Sequence, residues 1–201
     1  MAEALVPEAP LPVAPTGSLA SGWYGMVFLI ATEAALFVYL LFSYFYLASQ
    51  TPGVWPPSGA PDLLIASLNT AVLLASSVAA WFGQKGIEKG SPGQLIAGLV
   101  AALGLGTIFV GVQVHEWLAK SFTPATNAYG SLFFTITGLH IAHVVVGLLI
   151  LGCLAGWATM GRFTAARHVH ITLGVLYWHF VDVVWLVVFT ALFLTPRLGF
   201  G

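Results

Sequence analysis

Tyr177-Trp178-His179-Phe180-Val181-Asp182-Val183-Val184-Trp185 lies inside an apolar run from about Val169 to Leu194. That run exceeds the ~20 residues a helix needs to cross ~30 Å of hydrocarbon. At its midpoint it still carries a histidine and an aspartate three residues apart, on one face of a helix. An ionisable group at membrane depth costs roughly 2.5–3.5 kcal/mol on insertion scales, so each such residue calls for a partner and a role.

Working outward, the whole chain has this character. Of its 201 residues 59% are hydrophobic and only 6% charged, and the mean hydropathy is +0.94. These values describe an integral membrane protein. Five apolar segments follow one another at about 22–48, 61–82, 92–119, 127–157 and 167–194. The alternating ~10-residue strands of a membrane β-barrel are absent. The expected fold is therefore all-α, a single bundle of five transmembrane helices over 22–201, preceded by a flexible Pro/Ala-rich tail over 1–21. That tail carries Glu3 and Glu8 but no Lys or Arg, unlike a secretory signal. No internal repeat of the kind built into many transporters is evident.

The links match this division. Thr51-Pro52-Gly53-Val54-Trp55-Pro56-Pro57-Ser58-Gly59 is too rich in proline for a helix. The segment 84–91 is read as a polar link, and Pro92 stands where a helix starts. Five spans put Lys85, Lys89, Arg162 and Arg167 on one side, and Lys120 and Arg197 on the other. The positive-inside rule then places the N-terminus in the cytoplasm and the C-terminus outside. Small residues at Ala71/Ala75/Ala79 and Gly98/Ala102/Gly106 suit close helix packing. Ser67, Asn69, Thr70, Ser76 and Ser77 are expected to bond to neighbouring helices or backbone.

The polar groups at membrane depth are few. Glu33 is flanked one turn away by Leu29, Ile30, Leu36 and Phe37. His140 and His143 share a helix face, and a Glu33 bond to one of them would give each group a partner. H-x-x-H is an incomplete metal site by itself, and no metal site is expected. His179 and Asp182 are read as a structural pair in which two buried polar groups satisfy each other. His115-Glu116-Trp117, His168 and His170 are placed at the interface, the latter two beside Arg167. Cys153, the sole cysteine, can form no internal disulfide. No phosphate-binding loop, dinucleotide fingerprint or haem-attachment motif is present. A net charge of −1 without a basic run gives no reason to expect nucleic acid.

Five blocks in register carry a family resemblance. They are Thr32-Glu33, Trp55-Pro56-Pro57-Ser58-Gly59, Leu68-Asn69-Thr70-Ala71-Val72-Leu73-Leu74-Ala75-Ser76, Tyr129-Gly130-Ser131 through Gly138-Leu139-His140-Ile141-Ala142-His143-Val144, and Tyr177-Trp178-His179-Phe180-Val181-Asp182. From about Gly22 to Leu194 the chain resembles subunit III of the haem–copper terminal oxidases. The resemblance implies a short, five-span form of a seven-span family. It implies a cofactor-free subunit of a proton-pumping oxidase that packs on subunit I and other oxidase subunits in a bacterial or archaeal plasma membrane. It further implies support of proton uptake, bound structural phospholipids, and haem and copper in the partner subunits. Glu33 matches the family's buried, carbodiimide-reactive carboxylate, and His140, His143, His179 and Asp182 match its other intramembrane polar positions. Some relatives carry an arginine where this chain has Trp157, which leaves Arg162, Arg167 and His168 as candidate lipid head-group contacts. A quinol oxidase or nitric oxide reductase component is an alternative within the superfamily. A small proton-coupled transporter using Glu33, His143 and Asp182 is the alternative outside it.

Overall fold

Five helices form in the computed structural model, which describes residues 21–198 apart from 54, 58 and 60. They are α1 (Ser21–Gln50), α2 (Leu63–Glu88), α3 (Pro92–Leu118), α4 (Ala128–Thr159) and α5 (Val169–Phe189). A wide π-helical turn, Thr190–Leu194, and a short 3₁₀ turn, Thr195–Arg197, prolong α5. All five are long and apolar enough to cross a membrane, and no β-strand occurs among the described residues. The expected tail over 1–21 lies outside the described residues except for Ser21, which begins α1.

Helix ends follow local chemistry. Asp62 caps α2 by accepting from the Leu64 amide at 2.9 Å, and Asn127 caps α4 by accepting from the Gly130 amide at 2.8 Å. Gly90, at φ +76°, supplies the left-handed turn that ends α2, and Pro92 opens α3. The expected polar link over 84–91 is shorter than read. α2 continues through it because Glu88 accepts from Gln84 at 3.0 Å and from Lys85 at 2.7 Å. These one-turn pairs support the helix after the apolar residues run out.

The order of contacts along each pair shows an up-and-down bundle. On α1 and α4, Glu33 meets His143 and Tyr44 meets Tyr129, so the two run antiparallel. On α2 and α5, Ser76 meets Trp178 and Thr70 meets Trp185, again antiparallel. One end of the bundle therefore gathers Lys85, Lys89, Arg162 and Arg167, and the other Lys120 and Arg197. α5 is the central helix, with 56% of its most apolar window buried, whereas for α1 the figure is 6%.

Packing is closest where glycines let backbones meet. A Cβ on Gly98 would lie 2.5 Å from the Gly83 Cα and 2.6 Å from the Ala79 carbonyl. Ala71 and Ala75, expected in this seam, face outward instead. The inward face of α2 is Asn69, Thr70, Leu73, Ser76, Ala80 and Gly83. In a helix that is apolar all round, hydrophobicity does not mark the buried side.

At the centre, the Trp178 indole fits between two other glycines. A Cβ on Gly106 of α3 or on Gly147 of α4 would each come within 2.7 Å of the ring. The indole Nε1 donates to the Ser76 hydroxyl on α2 at 3.1 Å. Both helices crowd the buried ring, so overpacking there costs about 1–3 kcal/mol. Gly147→Ala should lower the thermal unfolding midpoint of the detergent-purified chain. Gly152→Ala, on the same helix with nothing within 4 Å of its Cβ position, should leave it unchanged or slightly raised.

Candidate functional site

α1 and α4 cross at Glu33 and His143. The carboxylate Oε2 lies 2.9 Å from the imidazole Nε2. The other ring nitrogen, Nδ1, lies 2.6 Å from the Leu139 carbonyl one turn earlier in α4. A carbonyl only accepts, so Nδ1 carries a hydrogen. Only two arrangements then complete the link. Either neutral Nε2 accepts from a carboxylic acid, or an imidazolium donates to a carboxylate. In both the pair holds one shared proton and has no net charge, which lowers the cost of two ionisable groups at this depth. Phe37 covers His143 edge-on, with centroids 5.2 Å apart.

The pair is open on one flank. The Glu33 side chain is 29% exposed and that of His143 13%. Together with Leu29, Ala142 and Tyr177 they line a groove of about 240 Å³. Through Val146 and Ile150 this groove adjoins a larger one of about 470 Å³, bounded by Met26, Cys153, Trp157 and His170. An almost wholly apolar channel thus runs along α4, from His170 and Trp157 near one end of the bundle to the Glu33–His143 pair at mid-depth.

His140, the other expected partner of Glu33, takes no part in this bond. Three residues along a helix turn the side chain by about 60°, and this brings His140 into the core. It is fully buried, its ring stacks on Trp185 at 4.8 Å, and the Phe109 ring meets it edge-on at 5.9 Å. Neither of its nitrogens has a hydrogen-bond partner among the described residues.

The expected mutual pair of His179 and Asp182 is also corrected. No hydrogen bond joins them. The His179 Nδ1 meets the Ser77 hydroxyl on α2, and both Asp182 oxygens are shielded without a partner. The expectation for the α2 polar residues fares better. Asn69 donates to the Phe109 carbonyl at 3.1 Å, Thr70 and Ser76 accept from Trp185 and Trp178, and Ser77 reaches α5. Ser77 was legible only as a packing hydroxyl. Its histidine partner lies 102 residues away and could not be paired from sequence.

At the α4–α5 link, Arg162 and Arg167 are exposed. His168 turns its Nδ1 onto the Ala165 carbonyl at 2.7 Å, so His170, rather than His168, reaches the large groove. At the opposite end His115 is exposed, but Trp117 turns inward against Phe134, with ring centroids 5.9 Å apart. Among the described residues no three His, Cys, Asp or Glu side chains converge as a metal-holding set.

Fold and site together define a multi-pass helical membrane protein whose polar groups link helices at mid-depth. Residues 6–195 match the model of the family described as cytochrome c oxidase subunit III. Over 177 residues the chain is 33% identical to cytochrome c oxidase subunit 3 of Ornithorhynchus anatinus, covering 85% of this chain and 68% of that one. Over 175 residues it is 31% identical to the protein of the same name from Thermostichus vulcanus, covering 86% and 87%. With that of Cyanidium caldarium it shares 37% over 177 residues, covering 85% and 66%. The chain belongs to the cytochrome c oxidase subunit III family, and so to a subunit of an oxidase complex.

The proton count of the pair predicts how Glu33 variants behave. In Glu33→Gln the amide donates to neutral Nε2 and the link survives. In Glu33→Ala that nitrogen loses its partner. The alanine variant should be the less stable of the two by about 1 kcal/mol, read as a lower unfolding midpoint in detergent. Equal midpoints would mean that the bond contributes nothing to the bundle.

Proposed function

We propose that this chain is the non-catalytic subunit III of a proton-pumping haem–copper oxidase in the plasma membrane of a bacterium or archaeon. It stabilises subunit I, supports proton uptake and holds phospholipid. Haem and copper belong to the partner subunits in this reading. The observation that carries it is the Glu33–His143 link beside an apolar groove along α4.

A carboxylate and an imidazole 2.9 Å apart can pass their shared proton from one to the other with little rearrangement, because they already touch. The groove beside it, of about 240 Å³ and adjoining one of about 470 Å³, has the apolar lining suited to an acyl chain. Arg162 and Arg167, exposed at the same end as His170, are suitable contacts for a lipid phosphate. Lys85 and Lys89 lie at that end too, and the excess of cations supports a cytoplasmic position for it. The N-terminus of α1 is then cytoplasmic and the C-terminus outside.

Purification from native membrane tests the assignment. A haem-containing large subunit should co-purify with this chain, and phospholipid should remain after delipidating washes. A chain that purifies without any haem protein overturns the reading. The role of the pair is tested separately with Glu33→Gln, which keeps the hydrogen bond but cannot ionise. The variant complex should assemble at the normal level yet inactivate after several-fold fewer turnovers. Turnover number and lifetime equal to wild type would leave the pair a structural link only.

A further inference from the structure

Asn69 of α2 is 4% exposed, yet only one end of its carboxamide is bonded. The Phe109 carbonyl of α3, 3.1 Å away, accepts only, so the amide nitrogen must be the end that meets it. Oδ1 is then the other end, shielded and without a donor among the described residues. A buried acceptor left in this way is costly, and native structures rarely keep one. Asn69 also forms part of the wall of a small cavity, together with Gln113, Glu116 and Lys120. Gln113 is likewise 4% exposed, and Glu116 accepts from Lys120 at 3.3 Å. Phe133 of α4 and Phe193 of the π-helical turn complete the wall. The cavity leaves about 10 Å³ for the centre of a water-sized sphere, which is room for one molecule.

The cavity lies toward the end of the bundle that carries Lys120 and Arg197. Gln113 is five residues from the end of α3, and Asn69 is six from the start of α2. These separations are about 8 and 9 Å along the helix axes. The Glu116–Lys120 pair stands between the cavity and that end, with side chains 14% and 16% exposed. The site is thus near the interfacial layer rather than at the middle of the hydrocarbon.

We propose that this cavity is the binding site of a single structural water molecule that joins α2 to α3. The water donates one hydrogen to Asn69 Oδ1 and bonds to the Gln113 carboxamide, which offers both donors and an acceptor. Glu116, three residues along α3 from Gln113, supplies a further acceptor. A buried water typically makes about three such bonds and serves polar groups that the protein leaves unpaired. The size of the cavity excludes any larger ligand. A sodium ion of similar size is disfavoured by the Lys120 ammonium, which already pairs with the one carboxylate in the wall. The bridge supplements the direct Asn69–Phe109 bond, so that one side chain of α2 holds α3 through both ends of its amide. This site goes beyond the subunit III reading and does not depend on it.

A density map of the complex purified from native membrane, at a resolution that shows other buried waters, tests the site. One isolated peak should lie roughly 2.6–3.2 Å from both Asn69 Oδ1 and a polar atom of Gln113. Absence of the peak overturns the proposal. Replacing sodium by rubidium in the buffer should leave the peak unchanged, and a peak that strengthens marks a cation and overturns the assignment to water. In Gln113→Met, which keeps the length of the side chain without its polar end, the peak should be lost. A peak of undiminished height there overturns the bridge between α2 and α3. If Gln113→Met does not assemble, the wild-type map and the rubidium exchange decide.

Discussion

Trp178 is the point on which the bundle depends. Its ring lies between Gly106 of α3 and Gly147 of α4, and its N–H ends on Ser76 of α2. One side chain of α5 thus fixes the depth and rotation of three other helices. Within a membrane, apolar surface alone gives little reason for one helix arrangement over another, because lipid tails solvate leucine as well as a neighbouring helix does. Shape and hydrogen bonding have to specify the arrangement. A flat ring in a slot made by two glycines does the first, and an indole N–H with a single hydroxyl to meet does the second.

The same logic repeats two turns further along α5. Trp185 donates to Thr70 at 2.9 Å, stacks on His140 and meets Phe109 edge-on at 5.0 Å. α2 supplies the acceptor each time, with Ser76 and Thr70 set so that their hydroxyls also bond back to their own helix. The hydroxyls are therefore satisfied in the unpaired helix and gain a second partner on assembly. That arrangement keeps their cost low during insertion and uses them for specificity afterwards.

Around this α2–α5 core, α1 is attached more lightly, with 6% of its most apolar window buried. The Glu33–His143 bond joins α1 to α4 beside the groove along α4.

Composition alone determined the number, approximate limits and membrane character of the helices, because spanning hydrocarbon requires length and apolarity that no soluble helix of this size shows. The need of Glu33 for a histidine was also legible, since an isolated carboxylate at that depth is costly. The choice of His143 over His140 was not, nor was the turning of Ala71 and Ala75 outward. The reading of His179 and Asp182 as mutual partners failed for the same reason. Residues three apart share a face of one helix, but a 60° difference between them is enough to turn one toward a neighbour's hydroxyl and the other away. In a soluble helix the polar side reveals which way the helix is turned. Here both sides are apolar, so rotation about the axis was set only by tertiary contacts, by where Trp178 finds its two glycines and its serine.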